Sequence, residues 1–114
     1  MVTLKDATSS ISALRDKRFL KAQAVLKNVV NILIRDYHVN KIVLIGSLAD
    51  KDRFGFNSDI DLCVEGLPDK LYFKAVGELL LEGGEFDIDI IPIEGTTPQM
   101  RGCLKRGKVL YEKK

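Results

Sequence analysis

The sequence predicts an α/β domain: a small β-sheet with helices packed on one face. Three observations carry this. A long stretch of helical spacing, about Lys17 to Tyr37, precedes a short apolar run, Lys41 to Ile45. Two later segments, Asp59–Val64 and Glu85–Ile91, alternate acids with apolar residues, so each reads as a strand with one packed and one polar face. Between those two lies a second helical pattern bounded by Pro68 and Gly83-Gly84.

In chain order, residues 1–16 are mixed and mostly polar, and Thr8-Ser9-Ser10 suit the cap of a short helix. From Lys17 the apolar residues Ala22, Val25, Leu26, Val29, Leu33 and Tyr37 recur on one helical face. Val30 and Ile34 widen that stripe and leave room for a second contact, such as a subunit, beside the plainer account of a wider core face. His38, the only histidine, follows the helix and is given no catalytic role. Lys41–Ile45 reads as a buried strand, and Gly46-Ser47 as a sharp turn. Glycine permits close backbone approach there, and a serine at a helix start leaves N–H groups free for a phosphate.

Asp50 to Asn57 is a polar loop containing Lys51, Arg53 and two aromatics, Phe54 and Phe56, that suit a base pocket or a fold back onto the core. Pro68 and Asp69 start the second helix, whose stripe is Leu71, Ala75, Val76 and Leu79. Gly83-Gly84 ends it. The acidic strand Glu85–Ile91 then runs to Pro92. Thr96 or Thr97 caps a third helix with Pro98 in its first turn, Gly107 stops that helix near Arg106, and Val109–Tyr111 forms a last strand.

The chemistry lies in the acids. Aspartate is a poor strand residue, yet Asp59 and Asp61 sit two apart, on the face opposite Ile60, Leu62 and Val64. Side-by-side carboxylates repel unless a cation lies between them. Asp87 and Asp89 repeat the pattern against Phe86, Ile88 and Ile90. If the two strands are neighbours, a third carboxylate joins the pair, a set that suits Mg²⁺. Two such ions can hold a nucleoside triphosphate and an attacking hydroxyl together.

Charge distribution agrees. Residues 1–45 carry a net +5, residues 46–95 a net −8 and residues 96–114 a net +5. An acidic centre with basic flanks fits a metal site that also meets phosphates, although solvated surface accounts for most of the lysines. Cys63 and Cys103 form no C-x-x-C pair and have no histidine nearby, which argues against zinc; both are expected as reduced thiols, with Cys63 in a packing role. No signal peptide or membrane-length apolar run is read, so a cytoplasmic protein with one domain over residues 1–114 is expected. The Asp59–Asp61 run is not a calcium-binding loop. No P-loop or dinucleotide-binding glycine motif occurs.

Gly46-Ser47, then Ser58-Asp59-Ile60-Asp61-Leu62, then Ile88-Asp89-Ile90-Ile91 resembles the polymerase-β-type nucleotidyltransferase superfamily, in particular its minimal nucleotidyltransferase branch. The resemblance spans about Lys41 to Tyr111. It implies a nucleotidyltransferase fold with a small mixed sheet and helices on one face. It also implies transfer of a nucleotide, AMP from ATP, to a hydroxyl on a partner such as a HEPN-family toxin, the chain being the antitoxin. Asp59, Asp61 and Asp89 would be the catalytic, metal-holding residues, with two Mg²⁺ ions. Gly46, Ser47 and Ser58 would bind the nucleotide. The family usually has a basic residue and a glycine shortly after its Gly-Ser, whereas Asp50 and Lys51 stand here. Among the acids, Asp89 is preferred to Asp87 because it is flanked by apolar residues inside the strand. Nucleic acid is not indicated as a partner, and a homo-oligomer is compatible with the pattern. The competing expectation is a non-catalytic module that binds nucleotide or neutralises a partner by contact.

Overall fold

The computed structural model describes residues 4–46, 59–95 and 98–113, and within these no side chain of residues 4–12, 95, 99–101 or 103. The expectations for Ser47, Ser58, the Asp50–Asn57 loop and the caps at Thr96 or Thr97 lie outside the described residues.

The described elements are α1 (Leu4–Tyr37), β1 (Lys41–Ile45), β2 (Ile60–Glu65), α2 (Asp69–Gly83), β3 (Ile88–Pro92), a 3₁₀ turn (Ile93–Gly95), α3 (Pro98–Arg106) and β4 (Lys108–Glu112). The sheet has the order β3-β2-β1-β4. β1 pairs antiparallel with β2 and with β4, while β2 and β3 run parallel through the α2 crossover. The sheet is therefore mixed, as the resemblance implies.

One face of this sheet is the core. Ile42 and Leu44 from β1, Ile60, Leu62 and Val64 from β2, and Ile88 and Ile90 from β3 are buried with Ala22, Val29 and Leu33 of α1 and Ala75 and Leu79 of α2. Strand alternation sends the intervening residues to the other face. Two hydrogen bonds fasten the helices. The Tyr37 hydroxyl donates to Glu78 Oε2 at 2.6 Å, tying α1 to α2. The Tyr72 hydroxyl donates to the carbonyl of Ile90 at 2.7 Å, tying α2 to β3. Its hydrogen bond to Glu78, with burial second, pushes the Tyr37 phenol up to about 12.

Two boundaries differ from the sequence reading. α1 begins at Leu4, not near Lys17, so Thr8-Ser9-Ser10 lie within it instead of capping a shorter helix. Serine and threonine are weak but acceptable helix residues, and Leu4, Ala7, Ile11 and Leu14 continue the helical spacing. At 1.5 Å per residue a helix of 34 residues is about 51 Å long, which explains a longest dimension of 57 Å. Second, β3 begins at Ile88, leaving Asp87 outside it, and Pro92 is its last residue. A proline is tolerated there because β3 is an edge strand. Val30 and Ile34 pack against the core, the plainer of the two accounts the sequence left open for them.

Tyr37→Phe removes the α1–α2 hydrogen bond and leaves the Glu78 carboxylate without that donor. Urea unfolding is expected to show a loss of roughly 1–2 kcal/mol.

Candidate active site

The sheet register brings the acids together. Ile45 pairs with Asp61 across β1 and β2, and Asp61 pairs with Asp89 across β2 and β3. These residues form one row on the face away from the core. Asp59 lies one residue before β2, half-buried, so it approaches the row from the strand's entry rather than from within it. Asp87 is exposed and also precedes its strand; its carbonyl accepts the N–H of Ile60 at 2.9 Å. That bond locks the start of the parallel pair and gives Asp87 a backbone role.

The electrostatics follow from this placement. Asp61 is half-buried, and its carboxyl is pushed up to about 6. Loss of solvent is the largest cause. The charge of Asp89, a side-chain hydrogen bond with Asp89, and the charge of Asp59 follow in that order. Asp61 and Asp89 therefore sit as cross-strand neighbours with a third carboxyl group close by.

Gly46 closes the site from β1. It follows Ile45 directly and has φ +80, a conformation costly to any residue with a Cβ. A Cβ at this position would stand 2.8 Å from Asp61 Oδ2. Two constraints therefore demand glycine here: the left-handed turn and the space taken by the Asp61 carboxylate. Sequence reasoning gave Gly46 a phosphate contact and missed its contact with Asp61. Only the antiparallel register of β1 and β2 reveals it.

Among the described residues, no three of the histidine, cysteine, aspartate and glutamate side chains converge tightly enough to cage a cation. The chemistry of the donor set nonetheless fits one. Asp61 and Asp89 are paired across adjacent strands and Asp59 adds charge of the same sign, so a cation among them would relieve the repulsion. Oxygen donors of this kind suit a hard divalent ion such as Mg²⁺.

The carboxylates of Asp61 and Asp89 stand on paired strands beside the Gly46 turn. Residues 27–114 match the sequence model of the family described as polymerase beta, nucleotidyltransferase, and the chain belongs to that family. No curated protein matches this sequence. In fold it is similar to a toxin–antitoxin crystal structure with AMP-PNP, at 22% identity and a TM-score of 0.62 over 76% of this chain and 73% of that one. It is also similar to a complex of a tri-AMPylated Shewanella oneidensis HEPN toxin with MNT antitoxin, at 20% identity and a TM-score of 0.55 over 82% and 71%. The toxin–antitoxin MntA-HepT is a third, at 21% identity and 0.54 over the same shares. No helix among the described residues is long and apolar enough to cross a membrane.

The raised carboxyl predicts how stability depends on pH. Below the unfolded value of 3.8 Asp61 is protonated in both states. As pH rises towards 6 the unfolded chain gives up the proton while the fold retains it. The contribution is therefore unfavourable to the fold above that window, by about 1 kcal/mol once solvent screening is allowed for. Asp61→Asn is expected to raise the melting temperature at pH 7.5 and to flatten the fall in stability between pH 4 and 6. A melting temperature lowered by several degrees at pH 7.5 would contradict this account.

Proposed function

We propose that this chain is a Mg²⁺-dependent nucleotidyltransferase that moves AMP from ATP to a hydroxyl on a partner protein, acting as the antitoxin of a HEPN-type toxin. The observation that carries the reading is the registered pair of Asp61 and Asp89, with Asp59 beside it and Gly46 against it. Family membership supports the reaction class. The fold neighbours, MNT antitoxins with HEPN toxins, one of them AMPylated, support the partner class.

In this reading Asp59, Asp61 and Asp89 hold the metal. When bound, Mg²⁺ supplies charge neutralisation across the triphosphate and lowers the cost of ionising the acceptor hydroxyl. The chain's own groups do the positioning. Asp61, wedged against Gly46 and short of solvent, is the fixed member of the set. Asp89 is exposed at the edge strand, where an acceptor can approach, and its carboxylate takes the proton as the hydroxyl oxygen attacks the α-phosphorus. The bond from that phosphorus to the bridging oxygen breaks, and pyrophosphate leaves. Gly46, Ser47 and Ser58 are assigned to the nucleotide.

The second reading is a module that binds its partner without transfer. It is favoured by Asp50 and Lys51, which stand where the family usually has a basic residue and a glycine. Label transfer from α-³²P-ATP to a co-expressed HEPN-type partner separates the two: transfer that needs Mg²⁺ supports the enzyme, and neutralisation without label supports the module.

Asp89→Asn is expected to lower transfer by about two orders of magnitude or more, as removal of a proton acceptor does, and Asp87→Asn to cost far less. Single-turnover rates for both variants are the measurement, and a larger loss for Asp87 would overturn the assignment.

A further inference from the structure

Gly107 stands where the sequence asks only for a stop after α3, and the structure gives it a second reason to be glycine. Its N–H donates to the carbonyl of Leu104 at 3.2 Å, which closes the last turn of the helix. Its φ lies outside the left-handed region, so the turn itself does not require a glycine. Space does. A Cβ at Gly107 would stand 2.7 Å from Val43 Cγ1, 2.8 Å from the carbonyl oxygen of Leu44 and 2.9 Å from Ile45 Cγ2. The second of these is backbone in a strand paired on both sides, so it cannot turn aside as a flexible side chain can.

Val43, Leu44 and Ile45 lead directly into Gly46. Ile45 pairs with Asp61, and the Asp61 carboxylate fills the space a Cβ would take at Gly46. Across the charged face the order is therefore Gly107, Ile45, Asp61, Asp89. On the same face Val43 and Cys63 are buried, although they lie outside the core formed with α1 and α2. α3 packs against β1, and the Gly107 turn covers Val43. We propose that Gly107 is a positioning residue for the carboxylate row. By lacking a side chain it lets the α3–β4 turn seat on the end of β1, which fixes Ile45 and Gly46 and, through them, Asp61. A methyl group at Gly107 must either lift the turn off β1 or push β1 toward β2. The first leaves the end of β1 unsupported, and the second crowds Asp61. Metal-holding carboxylates need placement to within about half an ångström, so either shift reaches the chemistry. The kinetic part of the test rests on the proposed transfer reaction; the placement does not.

Gly107→Ala is expected to keep the circular dichroism of the fold and to lower the kcat of transfer by about tenfold to a hundredfold, with little change in the KM for ATP. Two comparisons separate positioning from lost stability. Gly102→Ala makes the same change within α3, where a Cβ meets nothing within 4 Å among the described residues, and Tyr37→Phe weakens the helical layer. Both are expected to keep kcat within about twofold of wild type. Amide NMR of the whole chain gives a readout that needs no transfer. In Gly107→Ala the signals of Gly46 and Asp61 are expected to move, and those of Ala75 and Leu79 to stay. A wild-type chain without transfer overturns the proposed reaction, and the amide signals alone then decide the placement. If Gly107→Ala does not fold, Val43→Ala/Gly107→Ala, which removes the nearest of the three atoms, is compared with Val43→Ala by the same two measurements. The proposal is overturned if kcat of Gly107→Ala stays within about twofold of wild type, if Tyr37→Phe loses as much, or if the Gly46 and Asp61 signals do not move.

Discussion

The parallel register of β2 and β3 is the constraint on which the candidate site depends. Asp61 faces Asp89 because Ile60 faces Ile88 and Leu62 faces Ile90. Those four apolar residues are buried between the sheet and the helices. A shift of β3 by one residue would turn Asp89 into the core and Ile88 out to solvent. Burying an unpaired carboxylate and exposing an isoleucine both oppose that shift. Hydrophobic packing on one face therefore sets the geometry of the charged face, and the carboxylates need no attraction of their own to meet. The bond from Ile60 N–H to the carbonyl of Asp87 fastens the entry of the pair.

Left to themselves, the carboxylates work against the fold. Loss of solvent around Asp61, and after it the charge of Asp89, raise its pKa. A sequence selected for stability alone would place a threonine or valine in the Asp61 position, and an alanine in a relaxed turn in place of Gly46. Both positions instead carry residues that are locally unfavourable yet mutually fitted, since the space a Cβ would fill at Gly46 is taken by the Asp61 carboxylate. Local rules that fail together at one place mark a functional site more strongly than either failure does singly.

Much of this was legible in the sequence, because the strands are short and alternate cleanly. The packed faces Ile60/Leu62/Val64 and Ile88/Ile90, the stop at Gly84 and the span of α3 follow from periodicity and turn chemistry, and all hold. Preference for Asp89 over Asp87 rested on apolar flanks, and pairing explains why flanks carry that information: a residue between two buried neighbours lies inside the ladder. What was not legible depends on contacts distant in sequence. The approach of Gly46 to Asp61 arises from register. The earlier start of α1 was visible in the spacing of Leu4, Ala7, Ile11 and Leu14 but was obscured by the serines between them. The sequence left Val30 and Ile34 open to a core role or a second contact, and they pack on the core, whereas Leu14 and Leu20 of α1 and Phe73, Leu80 and Leu81 of α2 are exposed. A helical wheel shows how wide an apolar stripe is; only the packed structure shows which part of it a neighbour covers.

α2 joins the two halves of the molecule. Its inner face holds β3 in place: Tyr72 donates to Ile90, Ala75 and Leu79 are fully buried, and Gly83 lies so near Ile88 that a Cβ would come within 2.8 Å of its Cδ1. On its outer face a Cβ at Gly77 would meet nothing within 4 Å among the described residues. The position of Asp89 thus depends on one side of this helix, and the availability of an apolar surface on the other. Because interiors pack densely, contacts on the inner side fix α2 as a rigid element. Packing on that inner side is what carries the position of Asp89 from the core to the charged face.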